Sequence, residues 1–211
     1  YVTPDITMHY FQYGTRETDA LKADDPILGQ AIDRLGHPDR PLMPDLFAAL
    51  VNCVISQQIS TKAAETVWGR LLDRCGGLVT ADRIAEFTEE EIQALGMSRR
   101  KAGYIGGIAS AFVSGQIDTV CLAGADDDRI IRELTALPGI GIWTAEMLML
   151  HSLQHPDICS WNDLGIRRGM QRLYGHKTIT KSEFDELRRR YSPYGSTASI
   201  YLWSIAHTES W

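Results

Sequence analysis

The sequence predicts an all-α fold. Apolar residues recur at three- and four-residue spacing through most of the chain, which is the period of a helix with one buried face. No segment alternates apolar and polar residues in the two-residue period of a strand. Capping patterns divide the chain into about nine or ten helices. A chain of 211 residues with this pattern can form one compact domain, or two small helical lobes that share a cleft.

Polar capping residues mark where individual helices begin. Thr88 followed by Glu91, and Thr180 followed by Glu183, fit the capping box, in which a hydroxyl and a carboxylate reciprocally accept backbone N–H groups. The same kind of reading predicts helices at 45–55, 61–74, 98–112 and 196–207, and another that opens at 126–128. The first 25 residues are less periodic, and we expect them to wrap around the surface.

Charge and hydropathy restrict the classes of function. The formal net charge of −6 argues against a protein that coats nucleic acid nonspecifically, because such binding depends on many Lys and Arg contacts to phosphates. Any DNA contact must be local, and the short basic runs at 99–101, 167–168 and 188–190 could supply it or could be solvated helix faces. No segment approaches the roughly 18 consecutive apolar residues of a membrane span. We expect a soluble intracellular monomer, in the cytoplasm or at the nucleoid.

The cysteines predict neither a metal site nor a cluster. They are dispersed, without the short spacing that zinc and iron–sulfur sites use, so we expect four buried, reduced thiols. They are Cys53, Cys75, Cys121 and Cys159. We therefore expect no iron–sulfur cluster, and no cofactor for catalysis.

Residues 137–145 carry the first functional signal, with the sequence Leu-Pro-Gly-Ile-Gly-Ile-Trp-Thr-Ala between two predicted helices. Two glycines one residue apart allow a sharp turn and a close approach to another surface. The helix that follows directs unpaired N–H groups outward, which suits a DNA phosphate. Gly139, Gly141 and Thr144 would supply these N–H groups. A plain αα-hairpin without a ligand is the alternative interpretation.

The second signal follows at residues 160–168, Ser-Trp-Asn-Asp-Leu-Gly-Ile-Arg-Arg. A hairpin of this kind followed by a single Asp resembles the helix-hairpin-helix-GPD superfamily of DNA glycosylases, and within it the 3-methyladenine DNA glycosylase II branch. Supporting stretches lie at 55–64, 95–102, 191–194 and 201–203. The resemblance implies two helical lobes with the helix-hairpin-helix motif and an active-site cleft between them. The central lobe would cover about 55–160, and the second lobe about 1–54 plus 161–211.

The resemblance implies that Asp163 is the catalytic residue. Breaking an N-glycosidic bond builds positive charge on the sugar, and a fixed carboxylate stabilises that transition state more than the ground state. Asp163 would act as this electrostatic stabiliser or as the base for the attacking water. Its alternative role is to cap the helix that begins at Leu164. Asp157 is the nearby rival, which we interpret as a turn residue.

Residues of the base pocket also follow from the resemblance. Bifunctional members of the superfamily carry a Lys two residues past the second hairpin glycine, where its amine attacks the sugar. Trp143 occupies that position here, so we expect hydrolysis of the base without AP lyase activity. An indole face attracts the cationic ring of an alkylated purine. Met147, Tyr191 and Tyr194 would complete the pocket, although each Tyr could equally pack in the core.

Two further sites complete the interpretation. Gln58, with Gln57 beside it, falls where the family inserts a wedge that fills the gap left by a flipped base. Helix-end capping is the alternative role for Gln58. The resemblance also implies a structural Na⁺ or K⁺ held by backbone carbonyls of the hairpin, which map to Thr135, Leu137 and Ile140.

The leading hypothesis is therefore a monofunctional glycosylase of base excision repair that flips and removes alkylated purines of the 3-methyladenine and 7-methylguanine type from duplex DNA. A close alternative is a glycosylase for oxidised or deaminated purines or for mismatches, because pocket shape decides that choice. A noncatalytic helix-hairpin-helix DNA-binding module is a third possibility, and a helical protein-interaction domain a fourth. The carboxylate of Asp163 distinguishes an enzyme from a binder, because beside the sugar it would repel phosphate.

Overall fold

The chain folds as two compact units in the computed structural model, which describes residues 9–208. The central unit is Met43–Leu148. The terminal unit combines the two ends of the chain, Tyr1–Leu42 and Met149–Trp211, of which 9–42 and 149–208 are described. The boundaries expected from the sequence, near residues 55 and 160, lie further along the chain than those of the structure.

The described residues contain thirteen helices and no strand, which confirms the all-α prediction. An isolated β-bridge joins Tyr10 and Pro41. Between residues 9 and 208, no helix has the length and apolar character needed to span a bilayer. The helices are α1 (Thr15–Asp24), α2 (Pro26–Leu35), α3 (Leu46–Ser56), α4 (Thr61–Arg74), α5 (Ala81–Ala85), α6 (Glu89–Gln93), α7 (Arg99–Val113), α8 (Thr119–Ala123), α9 (Asp127–Thr135), α10 (Ile142–His151), α11 (Leu164–Tyr174), α12 (Lys181–Arg189) and α13 (Gly195–His207).

The predicted caps form as the sequence indicates. In α6 the Thr88 hydroxyl accepts from the Glu91 N–H at 3.2 Å, while the Glu91 carboxylate accepts from the Thr88 N–H at 2.9 Å. Thr180 and Glu183 make the same pair of bonds at the start of α12. Each box satisfies backbone donors that a helix N-terminus would otherwise leave without acceptors.

The sequence analysis missed two helices near the N-terminus, and the predicted number of helices is too low. Residues 15–35 form α1 and α2, and Leu21 and Leu28 are buried. Residues 1–8 of the stretch expected to wrap the surface lie outside the described residues. Asp25 caps α2, because its Oδ1 accepts from two backbone N–H groups, and Pro26 occupies the first helical position. This Asp-Pro pair is a helix-start signal that could have revealed α2.

The expectation of four buried cysteines is also wrong in part. Cys75 and Cys159 are buried, Cys53 is half-buried, and Cys121 is exposed on α8. Cys121 follows Asp118, the cap of this short helix, and its backbone N–H donates to that carboxylate at 3.1 Å. Cys121 lies at an exposed helix start, and the spacing of the cysteines along the chain, on which the prediction rested, carries no information about burial.

The core of the central unit is built around α3. Its sequence is apolar apart from Asn52 and Ser56, which is the pattern of a helix with most of its surface enclosed by others. Leu50, Val51 and Val54 are fully buried, and α3 packs against α4 and α7. The end of α3 is therefore fixed in place, and residues 57 and 58 follow directly from it.

The core of the terminal unit depends on close packing between α11 and α13. A Cβ at Gly169 would lie 2.1 Å from the backbone oxygen of Leu202, far inside any allowed contact. Only glycine lets the two helix backbones approach this closely. Helix α13 is buried along most of its length, so this contact organises the unit.

Gly169→Ala should lower the free energy of unfolding by about 3 kcal/mol or more, because overpacking against rigid backbone exceeds the cost of an ordinary core insertion. Gly106→Ala is the matched control, since a Cβ there meets nothing within 4 Å in α7. It should raise stability by up to about 1 kcal/mol through helix propensity. Chemical denaturation of both variants measures the difference, and equal effects would contradict this view of the α11–α13 contact.

Candidate active site

The hairpin of the central unit is a tight turn that requires glycine at one position. The Ile140 N–H donates to the Leu137 carbonyl at 3.2 Å, and Gly139 has φ of +81°. A Cβ at Gly139 would also lie 2.3 Å from the Tyr104 ring. Both the backbone conformation and the neighbouring ring therefore exclude other residues. Gly141, in contrast, faces open space, since a Cβ there would meet nothing within 4 Å.

Helix α10 begins immediately after this turn. The Ala145 N–H donates to the Gly141 carbonyl, so the backbone N–H groups before Ala145 belong to the first helical turn. Such groups have no acceptor within their own helix. Ile142 and Trp143 are about half exposed here, whereas the Thr144 side chain is buried. The geometry suits an anion at the start of α10, and binding of phosphate there stays a prediction.

The loop after α3 is tied to the hairpin. The Gln57 side-chain amide donates to the Gly139 carbonyl at 2.9 Å. From α7, the Lys101 ammonium donates to the carbonyls of Ile55 and Gln57 at 2.7 and 2.6 Å. Lys101 thereby satisfies carbonyls at the C-terminal end of α3, where the helix itself provides no donors.

These bonds separate the two predicted wedge residues. The Gln57 side chain is held by the hairpin, so in this conformation its amide braces the loop. Gln58 has φ of +57°, a left-handed backbone conformation that is uncommon outside glycine. Such strain persists only where surrounding contacts impose it, and the Lys101 bonds on the preceding residues do so. Gln58 thus remains the candidate wedge.

A cavity of about 460 Å³ in the central unit brings several predicted site residues together. Trp143 lines it with both Gln57 and Gln58, and the other lining residues come from α3: Asn52, Cys53 and Ser56. Burial raises the pKa of the Cys53 thiol to about 11, so this side chain is uncharged at neutral pH. Met147 lies one turn further along α10 and is 6% exposed.

In the terminal unit, Asp163 caps α11 with a nearly buried carboxylate, 8% exposed. Its Oδ1 accepts from the Ile166 backbone N–H at 2.8 Å and from the Trp203 indole N–H at 2.9 Å. The capping role considered as an alternative is therefore real. It does not exclude catalysis, because the same bonds hold a carboxylate in one orientation at the positive end of a helix dipole.

Sequence reasoning missed the residues that surround this carboxylate. The Arg40 guanidinium carbon lies 4.3 Å from the centroid of the Trp203 ring, and the His151 ring stacks on Trp203 with a centroid distance of 5.6 Å. Burial and the Arg40 charge lower the pKa of His151 to about 4, so His151 is neutral at pH 7. Burial also lowers the pKa of Arg40, while the charge of Asp163 opposes that shift.

Comparison with known proteins identifies the family. The sequence matches the family described as "HhH-GPD superfamily base excision DNA repair protein" over residues 51–193, which is more than half of the chain. The chain belongs to the HhH-GPD superfamily.

Curated relatives of this HhH-GPD protein carry consistent names. It is 34% identical to DNA-3-methyladenine glycosylase 1 of Schizosaccharomyces pombe over 164 residues, which cover 76% of this chain and 72% of the relative. It is 26% identical to DNA-3-methyladenine glycosylase 2 of Escherichia coli over 205 residues, which cover 90% of this chain and 69% of the relative.

Solved structures agree with these relatives. A DNA-3-methyladenine glycosidase from Bacillus halodurans superimposes with a TM-score of 0.88 at 35% identity, covering 95% of this chain and 94% of that chain. The 3-methyladenine DNA glycosylase of Schizosaccharomyces pombe, in complex with abasic DNA, superimposes with a TM-score of 0.81 at 29% identity. The match covers 93% of this chain and 99% of that chain.

The placement of Tyr191 in this HhH-GPD protein does not fit a pocket wall. Its side chain is fully buried in the terminal unit, and its hydroxyl lies 2.7 Å from that of Tyr174. The Tyr174 hydroxyl in turn donates to Asp25 Oδ2 at 2.7 Å. An enclosed ring offers no face to a base in this conformation, so Tyr191 is a core residue. Tyr194 is half-buried, at the N-cap position of α13, and its contact with a base stays a prediction.

Asp157 has a structural role, as the turn interpretation expects. Its carboxylate accepts from the Gly195 N–H at 2.9 Å and from the Ser192 hydroxyl, and it pairs with Arg188 at 3.3 Å. These bonds anchor the start of α13. The rival carboxylate is thus fully engaged in holding two helices.

Lys101→Met should lower the free energy of unfolding by about 1–3 kcal/mol, because two carbonyls lose a charged donor. Arg100→Met is the control: it removes the same charge from the neighbouring exposed position and should change stability by less than about 0.5 kcal/mol. Urea denaturation followed by circular dichroism measures both. Equal losses in the two variants would mean that Lys101 does not secure the loop.

Proposed function

We propose that this protein is a monofunctional DNA glycosylase of base excision repair that removes alkylated purines of the 3-methyladenine and 7-methylguanine type from duplex DNA. The observation that carries the proposal is the nearly buried Asp163 carboxylate, oriented by two N–H donors, in a chain that also contains the glycine hairpin. The names of the relatives support the same substrate class.

The chemistry requires little more than one fixed negative charge. As the bond between the sugar C1′ and the purine nitrogen breaks, its electron pair leaves with the base, and a cationic alkylated purine departs neutral. The sugar becomes cationic, and Asp163 stabilises it. Water then attacks C1′ and its proton passes to Asp163 or to solvent, which leaves an abasic site. Because the leaving group is already good, no second acid is needed.

Recognition would come from the central unit. The indole of Trp143, 43% exposed beside the 460 Å³ cavity, offers a face to a cationic purine, an attraction worth roughly 0.5–2 kcal/mol depending on exposure. Gln58 would fill the gap in the base stack and hydrogen-bond the unpaired partner base. The hairpin would bind phosphate through the N–H groups of Gly139, Gly141 and Thr144.

A structural Na⁺ or K⁺ at the hairpin is part of the proposal. Thr135 ends α9, and a helix leaves its last carbonyls without intrahelical donors, which suits a hard monovalent cation. The carbonyls of Leu137 and Ile140, in the turn that follows, would complete the set. The ion would supply positive charge beside the bound phosphate.

Asp163→Asn should abolish base release while duplex binding is retained, because the substitution keeps the shape but removes the charge. The measurement uses duplexes with a single 7-methylguanine or 8-oxoguanine, with free base quantified by mass spectrometry and affinity by fluorescence anisotropy. The wild-type protein should release the alkylated base in preference to the oxidised one. Full activity of the variant would refute the catalytic role, and preferential release of 8-oxoguanine would refute the substrate class.

Asp157→Asn is the matched control for this experiment. It makes the same chemical change on a carboxylate that anchors α13, so it should lower the melting temperature without a specific loss of the chemical step. A loss of base release in a folded Asp157→Asn variant would transfer the catalytic role to that residue.

The protein should also lack AP lyase activity, since Trp143 stands where bifunctional relatives carry the attacking amine. Borohydride reduction of a reaction with alkylated duplex should trap no covalent protein–DNA complex, and strand breaks should appear only after alkali. A trapped adduct would overturn the monofunctional assignment.

A further inference from the structure

A glycine-lined face of α11 brings an indole to the proposed catalytic carboxylate. Gly165 and Gly169 lie four residues apart, on the same face of the helix. A Cβ at Gly165 would lie 2.7 Å from Trp203 Cδ1 and 3.1 Å from Asp163 Oδ1, and one at Gly169 would collide with the Leu202 backbone. Both glycines are therefore needed for α13 to place Trp203 beside Asp163.

The indole is an unusual partner for a carboxylate that must stabilise a cation. Its Nε1–H donates to Asp163 Oδ1 at 2.9 Å, and Trp203 is itself buried, 7% exposed. A neutral donor fixes the position of the oxygen and adds no charge of its own, whereas a Lys or Arg bonded there would add a full positive charge beside it. Together with the Ile166 N–H, it restricts rotation of the carboxylate about the Cβ–Cγ bond.

The Trp203 ring is itself held in place. The Arg40 guanidinium lies over the ring at 4.3 Å, and the His151 ring stacks on it with an interplanar angle of 20°. Contacts of this kind restrict both the tilt and the sliding of an aromatic ring. These two side chains come from distant parts of the sequence and converge on the residue that orients Asp163.

We propose that Trp203 is a positioning residue for the glycosylase reaction, which holds the Asp163 carboxylate in its productive orientation through the indole N–H. The inference rests on the proposed function, because it assigns Trp203 a role in the chemistry of that site. A residue that only fills the core would not affect base release through its N–H. A positioning residue would, so loss of the indole N–H alone should slow base release.

The test is Trp203→Phe, which removes the N–H donor and keeps a ring for Arg40 and His151. The single-turnover rate constant for release of 7-methylguanine at saturating protein should fall by about ten-fold or more, the scale of a hydrogen bond to a charged group. Affinity for duplex DNA should stay close to that of the wild type, whereas the melting temperature should fall by a few degrees, because a buried carboxylate loses one donor. Trp68→Phe, a change of the same kind on α4, should leave all three quantities unchanged.

Each result decides the matter. An unchanged rate constant in Trp203→Phe, or parallel losses of rate and DNA affinity, would overturn the positioning role. If Trp203→Phe does not fold, Gly165→Ala is tested in its place. The added Cβ must push the Trp203 indole away from Asp163, although the indole still carries its N–H. The same selective loss of rate is then expected. Absence of base release from the wild-type protein would refute the proposed function, and the inference with it, which distinguishes that failure from failure of the inference alone.

Discussion

The fold of the terminal unit is arranged around one requirement, that a carboxylate withdrawn from water must be given donors. A buried charge without partners is costly, and Asp163 is only 8% exposed. The first turn of α11 supplies one donor through Ile166, and α13 supplies a second through Trp203. The second donor is available only because Gly165 and Gly169 allow the two helices to pack closely. Stability of the unit and orientation of the acid therefore depend on the same contact.

The central unit has a different requirement, which is to hold two short segments with left-handed backbone conformations. Gly139 and Gln58 both have positive φ, and each lies next to a hydrogen bond that restrains it. Gln57 joins the loop after α3 to the hairpin, and Lys101 joins the same loop to α7, so hydrogen bonds connect all three segments within the unit. Rigid loops lose little entropy when they bind, which favours recognition of a defined backbone such as DNA.

Much of the local structure could be predicted from the sequence because it depends on local chemistry. The capping boxes at Thr88 and Thr180 form as expected, and α4 has the predicted bounds. Helix α1 was missed because it buries little apolar surface: only Leu21 is buried along it. Its apolar periodicity is accordingly weak. The start of a capped helix is determined by residues a few positions apart in the sequence. Helix α1 instead depends on packing against α2 and α13, which are distant from its cap or not visible in its own pattern.

The site itself was predictable only where a motif is contiguous. Asp163, Trp143 and the hairpin glycines stand in short segments that resemble a known family, but Arg40, His151 and Trp203 converge from three distant segments. Tyr191 shows the converse limit, since an aromatic residue in a matching stretch proved to be a core residue bonded to Tyr174. Side-chain burial depends on tertiary packing, and a pattern of residue types does not determine it.

The most direct test of the central claim is to measure how much Asp163 favours a cationic sugar. Two duplexes are compared, one with a positively charged pyrrolidine in place of the damaged nucleotide's sugar and one with a neutral tetrahydrofuran. A group complementary to the transition state binds its charged analogue more tightly. The wild-type protein should prefer the pyrrolidine duplex by at least about ten-fold, and Asp163→Asn should lose that preference. Equal preference in the two proteins would contradict the account, because the carboxylate would then not act on the sugar.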